Sequence, residues 1–140
     1  MSNSRENVPG RPVRASADRH YVTRISKRTT ASQRTTLILP GVDVSGDLKA
    51  IRDGAAERNG EYYTINSRIW FHEEIGRVYP VSGEGFIGPV GRGVMYAIQA
   101  IGHYNGINAQ PEMEIARHPA ISDVEREEAF LIWRLREDDR

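Results

Sequence analysis

There is no cysteine in the 140-residue chain. That excludes a disulfide framework, a thiol nucleophile and a zinc site built on thiolates. No apolar run approaches the roughly 20 residues that cross a bilayer. Nor does an apolar stretch stand behind the charges of the N-terminus, so neither a membrane span nor a secretory signal peptide is expected, and a cytoplasmic setting is. The chain also lacks net charge, with 19 basic side chains against 19 acidic ones. The balance is uneven, however. Residues 1–36 carry eight Lys/Arg (Arg5, Arg11, Arg14, Arg19, Arg24, Lys27, Arg28, Arg34) against Glu6 and Asp18, a net of +6, while residues 37–140 hold 11 basic and 17 acidic groups, a net of −6. A basic arm on an acidic body of ordinary single-domain size is the first reading.

Ten Ser/Thr, two prolines and only isolated aliphatics (Val13, Tyr21 beside Val22, Ile25) make up the first 36 residues. Such a segment buries too little apolar surface to offset its ordering entropy and is read as disordered or loosely draped. From Thr36 the chain reads as one compact α+β domain, residues 37–140. Leu37-Ile38-Leu39 ends in Pro40-Gly41, a short strand closed by a turn. A helix follows, with Ser45 as N-cap, Leu48, Ile51 and Ala55 at helical spacing, and Asn59-Gly60 as its stop. Tyr62–Asn66, Arg68–His72 and Arg77–Val81 read as a three-stranded antiparallel meander. Asn66-Ser67 turns the first pair, and Pro80 marks an end or an edge. Trp70 and Phe71 fall on opposite faces, one toward the core. A glycine-dense loop, Ser82–Gly91, leads to a helix from Gly93 to Tyr104 with Val94, Ala97, Ile98 and Ile101 on one face. A short helix is read over Glu112–Arg117. The last helix opens on the capping box Ser122-Asp123-Val124-Glu125 and carries a stripe of Val124, Leu131 and Leu135, with Phe130 and Trp133 beside it.

The loop offers the clearest chemistry. Glycines at 83, 85, 88, 91 and 93 uncover backbone amides, and Arg92 supplies a guanidinium just before a helix N-terminus, a natural anion site. It lacks the Gly-Lys-Ser/Thr ending of a P-loop. An antiparallel meander is also the wrong context for a dinucleotide fold. His20, His72, His103 and His118 have no metal-ligand spacing, so no metal and no cofactor is expected. His72, beside Glu73 and Glu74 at a strand end, suits either a general acid–base or a surface turn. His103 suits the dipole at a helix C-terminus. Tyr79 and Ser82 offer hydroxyls where the strand opens into the loop. No Gly-x-Ser-x-Gly elbow surrounds the serine.

Leu39-Pro40-Gly41-Val42-Asp43-Val44, Tyr63–Arg68 and Tyr79-Pro80-Val81-Ser82-Gly83-Glu84-Gly85-Phe86 together resemble a group of small, mostly uncharacterised bacterial proteins. The likeness spans residues 37–106. More distantly, a helix followed by a small antiparallel sheet resembles the barnase/EndoU/colicin/RelE-like ribonuclease toxins. That resemblance implies a catalytic set of His72, Tyr79, Ser82 and Arg92. In it His72 or His103 is the acid–base group, and Gly83, Gly85, Arg77 and His103 are expected as substrate contacts beside the set.

Three functions follow as expectations. A metal-independent ribonuclease-like toxin would activate a ribose 2′-OH and stabilise phosphorane charge with Arg92 and the loop amides. It needs His72, Tyr79, Ser82 and Arg92 to converge, and an antitoxin is its natural protein partner. A noncatalytic module would bind RNA or other nucleic acid, or a protein, through residues 1–36. A phage or plasmid accessory protein would oligomerise through the C-terminal helix and leave an apolar stripe exposed over residues 124–135.

Overall fold

A computed structural model describes residues 13–26, 29, 34–74 and 76–138. Arg5, Arg11, Lys27 and Arg28, and with them part of the expected disordered arm, lie outside the described residues. The fold is α+β, with two antiparallel sheets and four α-helices among the described residues. Among the described residues no helix is long and apolar enough to cross a membrane.

β1 (Thr35–Ile38) is buried along its whole length. It pairs with β6 (Phe86–Val90), in antiparallel register with Leu37 opposite Ile87 and Ile38 opposite Phe86, and takes an isolated parallel bridge from Tyr21 at Ile38. Because a strand alternates its side chains, Leu37 and Ile38 enter different cores. Leu37 joins Val22, Val90 and the inner faces of α2 (Arg92–His103), α3 (Ala109–Arg117) and α4 (Asp123–Asp138). Ile38 joins Leu48 and Ile51 of α1 (Val44–Asp53) with Tyr63, Trp70 and Val78 of the larger sheet. The β1–β6 ribbon is thus the wall between two apolar clusters.

The larger sheet has four strands rather than the three expected: β2 (Glu57–Asn59), β3 (Tyr62–Ile65), β4 (Arg68–His72) and β5 (Val78–Gly83), adjacent in that order. The difference lies in where α1 stops. Gly54 takes the left-handed conformation (φ 80°) as the C-cap, a backbone region open to glycine at little cost. The helix therefore ends before Ala55, and the residues up to Asn59 become a strand. Asn59-Gly60 stops no helix, but Asn59 pairs with Tyr62 around a two-residue hairpin loop. At the other end the N-cap is Asp43, not Ser45, and its Oδ1 accepts the Gly46 N–H at 3.0 Å. The β3–β4 turn is Asn66-Ser67, both at positive φ (53° and 63°), the pattern of a type I′ hairpin. Pro80 sits in β5, the edge strand of this sheet, as its missing N–H requires.

α2 buries Val94, Ala97, Ile98 and Ile101 as its periodicity predicts. Ser122 and Glu125 form the reciprocal capping box: the Ser122 N–H donates to Glu125 Oε1 (2.9 Å) and the Glu125 N–H to Ser122 Oγ (3.2 Å). The α4 stripe, however, points outward. Ala129, Phe130, Ile132 and Trp133 form the buried side, while Val124 and Leu131 are 76% and 55% exposed.

A buried polar cluster ties α1 to the sheet. Asp47, 0% exposed, accepts from Arg68 Nε (2.7 Å) and Nη2 (3.0 Å), Trp70 Nε1 (2.8 Å) and Asn66 Nδ2 (3.0 Å). Burial by itself pushes this carboxyl's pKa up. The hydrogen bonds from Arg68, Asn66 and Trp70 and the charge of Arg68 outweigh it and hold the carboxyl below its ordinary value. A depressed carboxylate stabilises the fold fully above its unfolded pKa of about 3.9 and ceases to do so as pH falls through the lower folded value. Asp47→Ala leaves Arg68 buried without its anion and is expected to cost about 3–5 kcal/mol. Urea midpoints measured from neutral to acid pH should show this loss at pH 7 and a shallower acid dependence in the variant.

Candidate functional site

The residues expected to form a catalytic cluster are placed as follows. His72 is 0% exposed. It lies on the inner face of β4 opposite Val78, with its ring 5.9 Å from that of Tyr63. A surface turn does not describe it, because it is buried within the strand. Tyr79 is the next residue of β5 after Val78 and projects from the opposite face, where its ring lies 5.2 Å from that of His20. Ser82 is exposed near the end of β5, opposite Ile69. Arg92 is exposed at the first position of α2, beyond β6.

The glycine-rich stretch is a strand–turn–strand rather than an open loop, since β5 runs to Gly83 and β6 starts at Phe86. Its glycines answer to packing. A Cβ on Gly83 (φ 126°) would sit 2.3 Å from the Ser67 carbonyl, and one on Gly85 2.4 Å from Val42. Two of its polar backbone groups are already engaged: the Glu84 N–H donates to Ser67 O (3.0 Å) and Gly85 O accepts from the Leu39 N–H (2.9 Å).

Part of the basic arm is built into the domain. Val22 is buried in the helical core. Ser16 Oγ donates to the Val78 carbonyl. His20 is 5% exposed, and its Nδ1 lies 2.9 Å from the Thr36 carbonyl, so this nitrogen carries the proton and donates. Its buried Nε2 has no hydrogen-bond partner among the described residues. Burial pushes the His20 imidazole below its ordinary pKa and the Arg19 charge adds to that, against the opposing pull of the Thr36 carbonyl.

The docked segment also gathers cations. Arg14 and Arg77 face one another in an isolated parallel bridge. The Arg14 N–H donates to Gly76 O (2.8 Å) and the Val78 N–H to Arg14 O (2.9 Å). Arg77 Nη1 donates to Ala15 O at 3.0 Å, and Arg52 Nη2 lies 3.5 Å from Val13 O. Three exposed arginines thus meet at Val13–Ala15: Arg14 within it, and Arg77 and Arg52 reaching the carbonyls on either side. Arg19 lies beyond, 5.9 Å over the Tyr79 ring. Glu73 and Glu74 occupy the turn preceding Arg77. Among the described residues, neither Arg14 nor Arg77 takes an ion pair. Like charges facing each other across a pair of strands destabilise it, and an anion between them relieves that repulsion.

A second concave feature was invisible in the sequence. His103, at the C-terminus of α2, and His118, the C-cap of α3, line one cavity of about 160 Å³ with Tyr96, Gln99, Glu114 and an apolar floor. The Ala120 N–H donates to His118 Nδ1 (3.1 Å), which places the His118 proton on Nε2. The Tyr96 and His118 rings lie 5.1 Å apart. Among the described residues, no group of three or more His, Cys, Asp or Glu side chains is arranged to hold a metal ion.

No family model, curated protein or solved structure matches the chain.

Because folding lowers the His20 pKa, the unfolded chain binds the proton more tightly. The stability contributed by the docked arm is whole above the unfolded value of about 6.5 and declines as pH drops below it, levelling off beneath the folded pKa. Amide exchange of residues 14–24 is expected to accelerate, relative to the helical core, between about pH 7 and pH 5. His20→Phe should flatten that dependence; an identical profile in the variant would locate the titrating group elsewhere.

Proposed function

We propose that this protein is a noncatalytic nucleic-acid-binding accessory module that holds phosphates with its docked basic segment. The observation that carries the reading is the backbone pairing of Arg14 with Arg77, two exposed arginines on adjacent extended segments, with Arg52 reaching the carbonyl of the neighbouring Val13. Guanidinium forks match phosphate oxygens in pairs, and a phosphate seated between two of them removes a repulsion that the free protein carries. Tyr79, partly exposed next to His20 and Arg19, adds a ring at the edge of the same region. The acidic remainder of the chain confines the contact to this face. Backbone recognition of this kind is sequence-tolerant and strongly salt-dependent.

Fluorescence anisotropy with labelled single-stranded RNA and duplex DNA over a salt series tests it. Affinity should fall linearly with salt on logarithmic axes. Arg14→Ala/Arg77→Ala should weaken binding of all sequences alike and reduce that slope by about two, roughly one per lost phosphate contact. Absence of binding at about 50 mM salt, or binding that the double variant leaves intact, rejects the module.

A second reading, a metal-independent ribonuclease, is favoured by one observation: His103 and His118 share a cavity with Tyr96 and Glu114, and paired imidazoles can supply the acid and base of 2′-OH transphosphorylation. The same RNA, recovered after incubation and run on a gel, separates the two. Fragments that disappear in His103→Ala and His118→Ala support the cavity. Fragments that disappear only in Arg92→Ala would move the chemistry to the start of α2. Intact RNA leaves the binding module as the function.

A further inference from the structure

We propose that the protein forms a two-fold symmetric dimer through the outer face of α4, with the two helices antiparallel. This inference rests on α4 alone and is independent of the nucleic-acid reading.

The buried residues of α4 (Ala129, Phe130, Ile132, Trp133) commit one side of the helix to the core beside α2. At about 100° per residue, the opposite side is centred on Leu131, with Val124 roughly 20° and Leu135 roughly 40° to one flank. Two of these are large exposed apolar side chains, Val124 at 76% and Leu131 at 55%. A seven-residue spacing on the solvent side of a helix is the repeat of a helix–helix seam. The charged side chains flanking Leu131 differ in sign along the axis, and Glu127 also lies 3.5 Å from Arg126 Nη2 of its own chain. Glu127 and Glu128 precede Leu131, Arg134 follows it, and all three are exposed.

That order selects the partner and its direction. A second copy of α4, turned by a two-fold axis through Leu131, places Leu131 against Leu131 of the other copy. Glu127 and Arg134 both lie on the flank away from Val124, at about −40° and −60° by the same geometry. Under the two-fold rotation, Glu127 of each copy therefore meets Arg134 of the other, at nearly the same height and on the same side. Two equivalent ion pairs bracket the central leucines, and each Glu128 lies along Leu135 of the other copy. A parallel pairing through the same face sets Glu127 of one copy against Glu128 of the other, and like charges at that range repel. A surface complementary to itself under rotation is what an isologous dimer requires. One helix pair is a small interface, so the dimer should depend on concentration.

Sedimentation equilibrium of the full chain from about 1 µM to about 1 mM tests it, these limits bracketing a weak association. The wild type is expected to pass from monomer to dimer. Leu131→Glu, at an exposed position that leaves the core alone, should remain monomeric with an unchanged circular dichroism spectrum. Glu127→Arg and Arg134→Glu should each weaken association at least tenfold. The doubly exchanged Glu127→Arg/Arg134→Glu chain should regain it, because the charges then meet in reversed order. A wild type that stays monomeric to the top of the range, or a dimer that Leu131→Glu does not affect, overturns the proposal. Single exchanges that weaken the dimer while the double exchange fails to recover it overturn the antiparallel register.

Discussion

The carboxylate of Asp47 is where three segments of this chain distant in sequence are joined, and the geometry of the rest depends on it. It comes from the first turn of α1. Its four hydrogen bonds come from the β3–β4 turn and from β4, and Arg68 Nη1 also approaches the Glu84 carbonyl of the β5–β6 turn at 3.4 Å. A buried charge is costly unless its partners are all in place. Here a two-pronged guanidinium, an indole and an amide satisfy it together. The arrangement is therefore all-or-none: α1 cannot slide along the sheet by a residue without stranding both charges. Apolar contacts among Leu48, Ile51, Tyr63, Trp70 and Val78 supply area, and the ion pair sets the register in which that area is buried.

A second constraint acts through β1. With one face toward the helices and the other toward α1 and the sheet, this four-residue strand has no solvent side, and even Thr35 and Thr36 are buried. The docked part of the arm completes the same wall. Val22 fills the helical core, His20 donates to the carbonyl of Thr36, and Ser16 reaches the carbonyl of Val78. The basic segment is consequently not a free tail over residues 13–26. Two backbone hydrogen bonds hold Arg14 beside Arg77, and the proposed phosphate contact needs that placement.

Much of the architecture was legible because it depends on local rules. The capping box of α4, the turn at Asn66-Ser67, the apolar face of α2 and the edge position of Pro80 each follow from residues within one turn or hairpin. What misled was local ambiguity. Gly54 within an apolar repeat is compatible with a weak helix or with a left-handed cap, and only the strand pairing of Glu57–Asn59 with β3 settles the choice. Val124, Leu131 and Leu135 share a helical stripe with as much regularity as a core face. Val124 and Leu131 are nonetheless exposed and Leu135 half-buried, because the bulkier Phe130 and Trp133, with Ala129 and Ile132, fit the space left by α2. The candidate site fared similarly. His72 stands in sequence beside Glu73 and Glu74, which suggests water, yet the pleat turns it inward, while Tyr79 leaves from the other face.

The sequence by itself determined the α+β class, the span of α2, the first turn of α4, the hairpin at Asn66-Ser67, and the uneven charge of residues 1–36 and 37–140. Those are matters of periodicity, capping chemistry and charge count, which act over a few residues or over none. Only the tertiary structure decided which residues meet. Asp47 with Arg68, Arg14 with Arg77 and His103 with His118 are partners separated by many residues, and no spacing rule links them. Their proximity is set by how the two cores close on either side of β1, where burial favours whichever packing satisfies every buried charge at once.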